Sequence, residues 1–236
     1  MALPKVKTPT FELSLPSTNK KVTYRPYLVK EEKILMLALE SEDNSDMIRA
    51  IKDVINSCTF GELDDSNITM FDLEYFFINL RAKSVGETSE VRIPCPSCET
   101  ENTVEIDLSN VFVNVPSDKN YYVRKINDDI HVKMRYPTVA ETVALTDSEK
   151  SDIDIAYDVI FSSIAEIYSG DEVYDANDHT HEELVDFIES LDSSQFESIK
   201  DFVEDMPSAM VTYQHRCPSC GYNEERVLDG LANFFG

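Results

Sequence analysis

The sequence predicts an α+β fold built from small antiparallel sheets, on three observations. Short runs that alternate apolar and polar residues occur near both ends of the chain. Helical periodicity occupies residues 30–83 and again 137–206, and the four-residue turn Cys-Pro-Ser-Cys is written twice, at 95–98 and 217–220. With 236 residues the chain suffices for one large domain or two small ones. Its apolar fraction of 42% is that of a folded globular protein, which excludes wholesale disorder.

Near the N-terminus, Phe11-Glu12-Leu13-Ser14-Leu15 and Lys21-Val22-Thr23-Tyr24-Arg25 alternate on either side of Pro16-Ser17-Thr18-Asn19, which predicts a hairpin. Ile34, Leu35, Leu37, Ala38 and Leu39 behind a polar entrance at 30–33 predict a first helix, stopped by the polar cluster 41–44. A second begins at Ser45, with Met47, Ile48, Ile51, Val54, Ile55 and Cys58 three and four apart, and two helices this close form a hairpin. A third spans 71–83 behind a capping box of Thr69 and Asp72. Its stripe of Leu73, Phe76, Phe77 and Leu80 reads first as core, because aromatics dominate cores. Cys58, at the end of an apolar helical run, reads as a buried small hydrophobe.

Strand-like runs at 90–93 and 103–106 flank the first Cys-Pro-Ser-Cys turn, and 111–115 extend that sheet. Runs 121–126 and 130–136 around Asn127-Asp128-Asp129 predict a second hairpin, with His131 as a structural strand histidine. Residues 137–206 turn helical and acidic. Thr138 with Glu141, Thr180 with Glu183 and Ser194 with Glu197 match the capping-box spacing, predicting helices near 139–147, 152–168, 181–191 and 195–205. His179 and His181 sit at a loop-to-helix junction, where capping and solvation account for them better than a metal does. The chain then returns as strands at 210–213 and 225–228 around the second turn. Gly221, directly after Cys220, permits the positive backbone angle such turns use, whereas the first turn has the less suitable Glu99 there.

Two residues between cysteines let both sulfurs face one cation, and two such turns supply four thiolates. One structural zinc ion on Cys95, Cys98, Cys217 and Cys220 is therefore expected. A ribbon ordinarily separates its pairs by about 15 to 20 residues, so this one is split by an insertion. The expected organisation is an N-terminal hairpin with helices at 1–87, a split zinc-ribbon-like β module of 88–136 with 207–236, and an inserted acidic helical segment at 137–206. Loop closure adds about 0.6 kcal/mol per doubling of length, against roughly 10 kcal/mol or more from structural zinc. The metal outweighs the loop. Unligated or redox thiols and disulfides are the competing readings. Disulfides are disfavoured because they need an oxidising compartment and are badly placed across so tight a turn. Four thiolates also leave no open position for catalysis. His215, two residues before Cys217, is read as a strand residue because the cysteines already complete the set.

Composition narrows function further. The net charge of −24 argues against a general phosphate-binding surface and favours a basic protein partner. No signal-peptide core and no apolar run of about 20 residues is present, so the cytosol of the producing cell is expected. With 6 Gly and no glycine-rich phosphate loop, G-x-S-x-G or H-E-x-x-H motif, no enzyme is expected.

The order of Leu13-Ser14-Leu15-Pro16-Ser17-Thr18, Tyr24-Arg25-Pro26-Tyr27-Leu28-Val29-Lys30, Phe71-Asp72-Leu73-Glu74-Tyr75-Phe76 and Leu80-Arg81-Ala82-Lys83-Ser84-Val85-Gly86 precedes the first cysteine turn and Val104-Glu105-Ile106-Asp107-Leu108. That order resembles the baseplate hub subunit and hub assembly family of T-even contractile-tailed phages, most clearly over 10–116 and 210–236. The resemblance implies a late phage protein, acting as hub component or assembly chaperone, whose partners are other baseplate hub proteins. It implies the host cytoplasm during assembly or the virion tail baseplate as location. No functional residue is carried over beyond the zinc cysteines. The alternative is a zinc-ribbon regulator that contacts polymerase or nucleic acid, weakened because only Arg92, Arg216 and Arg226 lie near the turns. Phe76, Phe77, Leu231, Phe234 and Phe235 are the candidate docking residues, since exposed aromatics anchor interfaces.

Overall fold

A computed structural model describes residues 6–41, 43–63, 66, 68–146 and 150–230. The chain divides into two units, Met1–Asn114 together with Ser208–Gly236, and Val115–Pro207. The fold is α+β, and among the described residues every sheet is antiparallel.

In the first unit, β1 (Phe11–Ser14) and β2 (Lys21–Tyr24) form the expected hairpin, Phe11 opposite Tyr24 and Ser14 opposite Lys21. Helices α1 (Val29–Glu40), α2 (Asn44–Cys58) and α3 (Met70–Ser84) follow. The Asp43 side chain caps α2 by accepting the Ser45 and Asp46 amides. Thr69 and Asp72 close the predicted box at α3, and the same Asp72 carboxylate, fully buried, accepts the Ser17 amide at 3.0 Å and the Ser17 hydroxyl at 2.5 Å. One carboxylate thus starts a helix and pins the first hairpin to it.

Helix α3 is buried on most of its circumference, with Leu73, Phe76, Phe77, Ile78 and Leu80 at 1% exposure or less. Tyr24 from β2 meets Phe76 edge-on at 5.2 Å. Phe76 and Phe77 are therefore core residues and not docking residues, a correction with a simple cause. A helix enclosed by hairpins and helices has no free face for its aromatics.

Glu31 is the second buried carboxylate. At 2% exposure it accepts hydrogen bonds from Arg25 (2.9 Å), Ser57 (2.9 Å) and the Leu28 amide (2.9 Å), and pairs with Lys30 at 3.0 Å. It joins the segment after β2, the start of α1 and the end of α2. Burial alone pushes its carboxyl up, but Arg25, the Leu28 amide, Lys30 and Ser57 together outweigh that and hold it down at about 2. Cys58 is fully buried beside Arg25, and burial pushes its thiol up to about 11, so it is the inert hydrophobe expected.

Past α3, β3 (Thr88–Pro94) pairs with β4 (Glu101–Asp107). The expected strand at 111–115 is reduced to a single bridge, Phe112 to Met210.

The second unit departs furthest from expectation. Strands β5 (Val123–Lys125) and β6 (Ile130–Met134) make the predicted hairpin, followed by α4 (Val139–Thr146) and α5 (Asp152–Ser162). The predicted helix at 152–168 ends early, and β7 (Ile164–Ser169) and β8 (Glu172–Asp175) take its place beside β6, in the order β5-β6-β7-β8. Ile164, Ile167 and Tyr168 fit a helical spacing, but β-branched and aromatic residues also suit a pleated surface, and the open edge of β6 decides. Ser169-Gly170-Asp171 then turns the chain at Gly170, whose φ is 58°.

Helices α6 (His181–Glu189) and α7 (Ser193–Glu204) complete the unit. The cap of α7 is Asp192 with Gln195, not Ser194 with Glu197, because Asp192 reaches both the Ser194 and Gln195 amides. Val132 and Met134 of β6 share a core with Ile160, Phe161, Ile188, Ile199 and Phe202 of the helices. The hairpin at 123–134 therefore belongs to the inserted unit, which opens at Val115 and not at residue 137. His131 lies in β6 as expected.

The chain then rejoins the first unit through β9 (Met210–Arg216) and β10 (Asn223–Asp229). Ile78 and Ala82 of α3 share one core with Val91, Val104 and Ile106 of the first cysteine hairpin and Val211, Tyr213 and Leu228 of the second.

Replacing Glu31 by Gln should cost about 3 kcal/mol, the worth of a carboxyl held near pH 2 instead of its ordinary value. Because the folded value is depressed, that stabilisation is fully present above about pH 4.5 and is lost as pH falls toward 2. Chemical denaturation across this window should show a wild-type advantage that shrinks with acid; a constant difference would exclude an ionised Glu31.

Candidate metal centre

The two cysteine hairpins repeat one construction. Each has strands of 7 residues, joined through turn residues 95–100 in one and 217–222 in the other. Thr88 opposes Asp107 and Pro94 opposes Glu101, just as Met210 opposes Asp229 and Arg216 opposes Asn223.

The turns match bond for bond. The Cys95 amide donates to the Thr100 carbonyl at 2.9 Å, and the Glu99 amide donates to the Cys95 carbonyl at 2.8 Å. In the other turn Cys217 donates to Tyr222 at 2.8 Å and Gly221 to Cys217 at 3.0 Å. Closing this ring requires a left-handed residue after the second cysteine. Gly221 adopts it freely at φ 75°, while Glu99 is held there at φ 58°.

These turns bring the four sulfurs together. Cys95 Sγ lies 3.7 Å from Cys220 Sγ and Cys98 Sγ 3.6 Å from Cys217 Sγ, and all four lie within 4.8 Å of one another. Four ligands about 2.3 Å from a central ion would sit about 3.8 Å apart at the corners of a tetrahedron. The separations of 3.7 and 3.6 Å match that figure, whereas a disulfide needs sulfurs about 2.05 Å apart. All four cysteines are free thiols. Cys95 and Cys217 are buried and Cys98 and Cys220 reach the surface, so the first cysteine of each pair anchors the site in the hairpins and the second closes it from outside.

Local donors favour the thiolate, the form that binds metal, at two of the four sulfurs, whereas at Cys220 the Tyr222 amide is outweighed by the neighbouring thiols and burial, which push the thiol up to about 11. The Cys220 and Ser219 amides hold the Cys217 thiol down at about 6. The Thr100 hydroxyl, 3.3 Å from Cys98 Sγ, and the Thr100 amide hold Cys98 below the usual thiol range.

His215 stands in β9, fully buried, and is not one of the clustered donors. Its Nε2 lies 3.4 Å from the Asn102 side-chain amide, which donates to the Thr100 carbonyl at 2.9 Å. Asn102 thereby ties the first turn to the strand that carries the second. That role escaped the sequence reading, although a polar residue on the buried phase of an alternating strand was its available sign.

The other candidates lie elsewhere. His179 faces Glu183 at 3.5 Å and His181 faces Asp158 at 3.6 Å, on either side of Thr180, the N-cap of α6. Leu231, Phe234 and Phe235 fall outside the described residues.

Comparison with known proteins bears on the whole chain. A family described as T4 bacteriophage base plate protein matches residues 8–236. The chain belongs to this family. It is also 27% identical over 217 residues to the baseplate hub assembly protein gp26 of Enterobacteria phage T4, covering 92% of this chain and 93% of that protein. No solved structure matches. Membership in a base plate family agrees with the resemblance read from the residues and with a protein that is not an enzyme. Among the described residues no helix is long and apolar enough to cross a membrane.

Replacing Gly221 by Ala should cost about 1 to 2 kcal/mol through backbone strain alone, since nothing lies within 4 Å of the added methyl. Replacing Glu99 by Gly should instead be neutral or stabilising by up to about 1 kcal/mol, relief of strain being partly offset by a freer unfolded chain. Denaturant midpoints of the two variants should move in opposite senses or, for Glu99, not at all.

Proposed function

We propose that this protein takes part in building the baseplate hub of a contractile phage tail, through protein contacts and without chemistry of its own. The observation that carries the reading is the match to a baseplate hub assembly protein over more than nine-tenths of both chains. Its partners are then other baseplate hub proteins, met in the host cytoplasm during assembly. It serves either as a hub component that stays in the virion or as an assembly chaperone that leaves.

Within that function, Cys95, Cys98, Cys217 and Cys220 hold one structural zinc ion in a split zinc-ribbon-like module. The sulfur spacing and the donors around Cys98 and Cys217 support this. A closed set of four thiolates suits a structural role, the bound ion supplying crosslinking and nothing reactive. Iron also accepts four thiolates, so metal analysis decides between them.

The surroundings favour a protein partner over nucleic acid. Glu99 and Glu101 beside the first turn and Glu224 and Glu225 beside the second are exposed. They set acid next to Arg92, Arg216 and Arg226, where a phosphate reader would present a basic patch.

Purified protein should contain one zinc per chain. Replacing Cys95 by Ser should release it and lower the melting temperature by more than 10 °C, since losing a structural zinc forfeits several kcal/mol or more. Affinity capture from infected cells should recover a baseplate hub protein, and mature particles probed by mass spectrometry should show whether the chain stays. Capture of no tail protein would refute the hub reading and leave the metal site standing; absence of metal would do the reverse.

A further inference from the structure

The C-terminal half of helix α1, residues 34–39, is apolar around its circumference, yet only one side of it is covered. Leu35, Ala38 and the Glu31 carboxylate face inward. Val29 is 80%, Met36 61% and Leu37 57% exposed, and Ile34 and Leu39 flank the covered side at 42% and 43%. A helix apolar all round is ordinarily buried all round, and the unbroken apolar run 34–39 is ill suited to water. The neighbouring α2 behaves differently, presenting Arg49, Asp53 and Asn56 to solvent.

The residues of α1 are their own complement when the helix is reversed. About a point between Met36 and Leu37, Lys33 corresponds to Glu40 and Ile34 to Leu39. Two copies laid antiparallel about a two-fold axis at that point would set each Lys33 against the other copy's Glu40, on both sides of a seam of Met36 and Leu37. Lys33 and Glu40 are both exposed, and neither has an ion-pair partner among the described residues. Parallel pairing would oppose like charges, whereas antiparallel pairing also aligns the helix dipoles favourably.

We propose that α1 is a self-association face, on which two copies of this chain pair antiparallel. The charge pattern selects this occupant. A membrane surface or an acidic partner would call for basic excess on the face, and a basic partner for acidic excess, but Lys30 and Lys33 are balanced by Glu32 and Glu40. The pairing is isologous and closes at two copies. A helix of 12 residues buries little area, and a net charge of −24 on each copy opposes approach, so the dimer is weak.

Sedimentation of the full-length protein tests this independently of the hub reading. The mass should rise from 26.9 kDa toward twice that value as concentration passes through roughly the micromolar range. Met36→Glu with Leu37→Glu, both exposed and checked for an unchanged circular dichroism spectrum, should abolish the rise. Lys33→Glu or Glu40→Lys alone should weaken it about tenfold, and the two together in one chain should restore it, since the exchanged charges meet again. A monomer at all concentrations to about 100 μM, a dimer indifferent to Met36 and Leu37, or failure of the double exchange to restore pairing would each overturn the proposal.

Discussion

The convergence of four sulfurs is the constraint on which the first unit depends. The sulfurs 3.7 and 3.6 Å apart belong to residues 125 and 119 positions apart, so the site forms only if both cysteine hairpins take their matched shape and α3 gathers them into one core. Synthesis sets an order. At ribosomal rates the second pair emerges about ten seconds after the first, by which time the whole of Val115–Pro207 has left the ribosome. Convergence of the four sulfurs therefore comes late, after the first cysteine hairpin and the intervening segment have emerged.

Two buried carboxylates perform the comparable task among the helices. Asp72 and Glu31 are each nearly inaccessible, and each satisfies donors from segments far apart in the chain. A buried carboxylate is tolerable only when its lone pairs are occupied. These two therefore fix where the first hairpin and the helical pair attach, with directional bonds that apolar packing lacks.

Local chemistry was readable in the sequence wherever one residue type dictates one geometry. Thr69 with Asp72 and Thr180 with Glu183 start helices where predicted, the Cys-Pro-Ser-Cys turns converge, and the N-terminal hairpin has the expected strands. Misreadings arose where two periods coincide or tertiary competition decides. Ile164 and Ile167 satisfy a helical spacing while joining a sheet, and Gly170-Asp171 between β7 and β8 is a two-residue hairpin signal not taken up from the sequence. The stripe of Phe76 and Phe77 could not show from sequence alone that both sides of its helix would be enclosed. The link from Asn102 to His215 depends on two strands meeting that share no local pattern.

The bridge between Phe112 and Met210 closes with two backbone hydrogen bonds, 2.9 and 2.8 Å long, just where the chain leaves the first unit and where it comes back. Departure and return therefore lie side by side, so the excursion between them need span no gap and puts no tension on its host. Such a doorway makes the intervening ninety or so residues an exchangeable cassette.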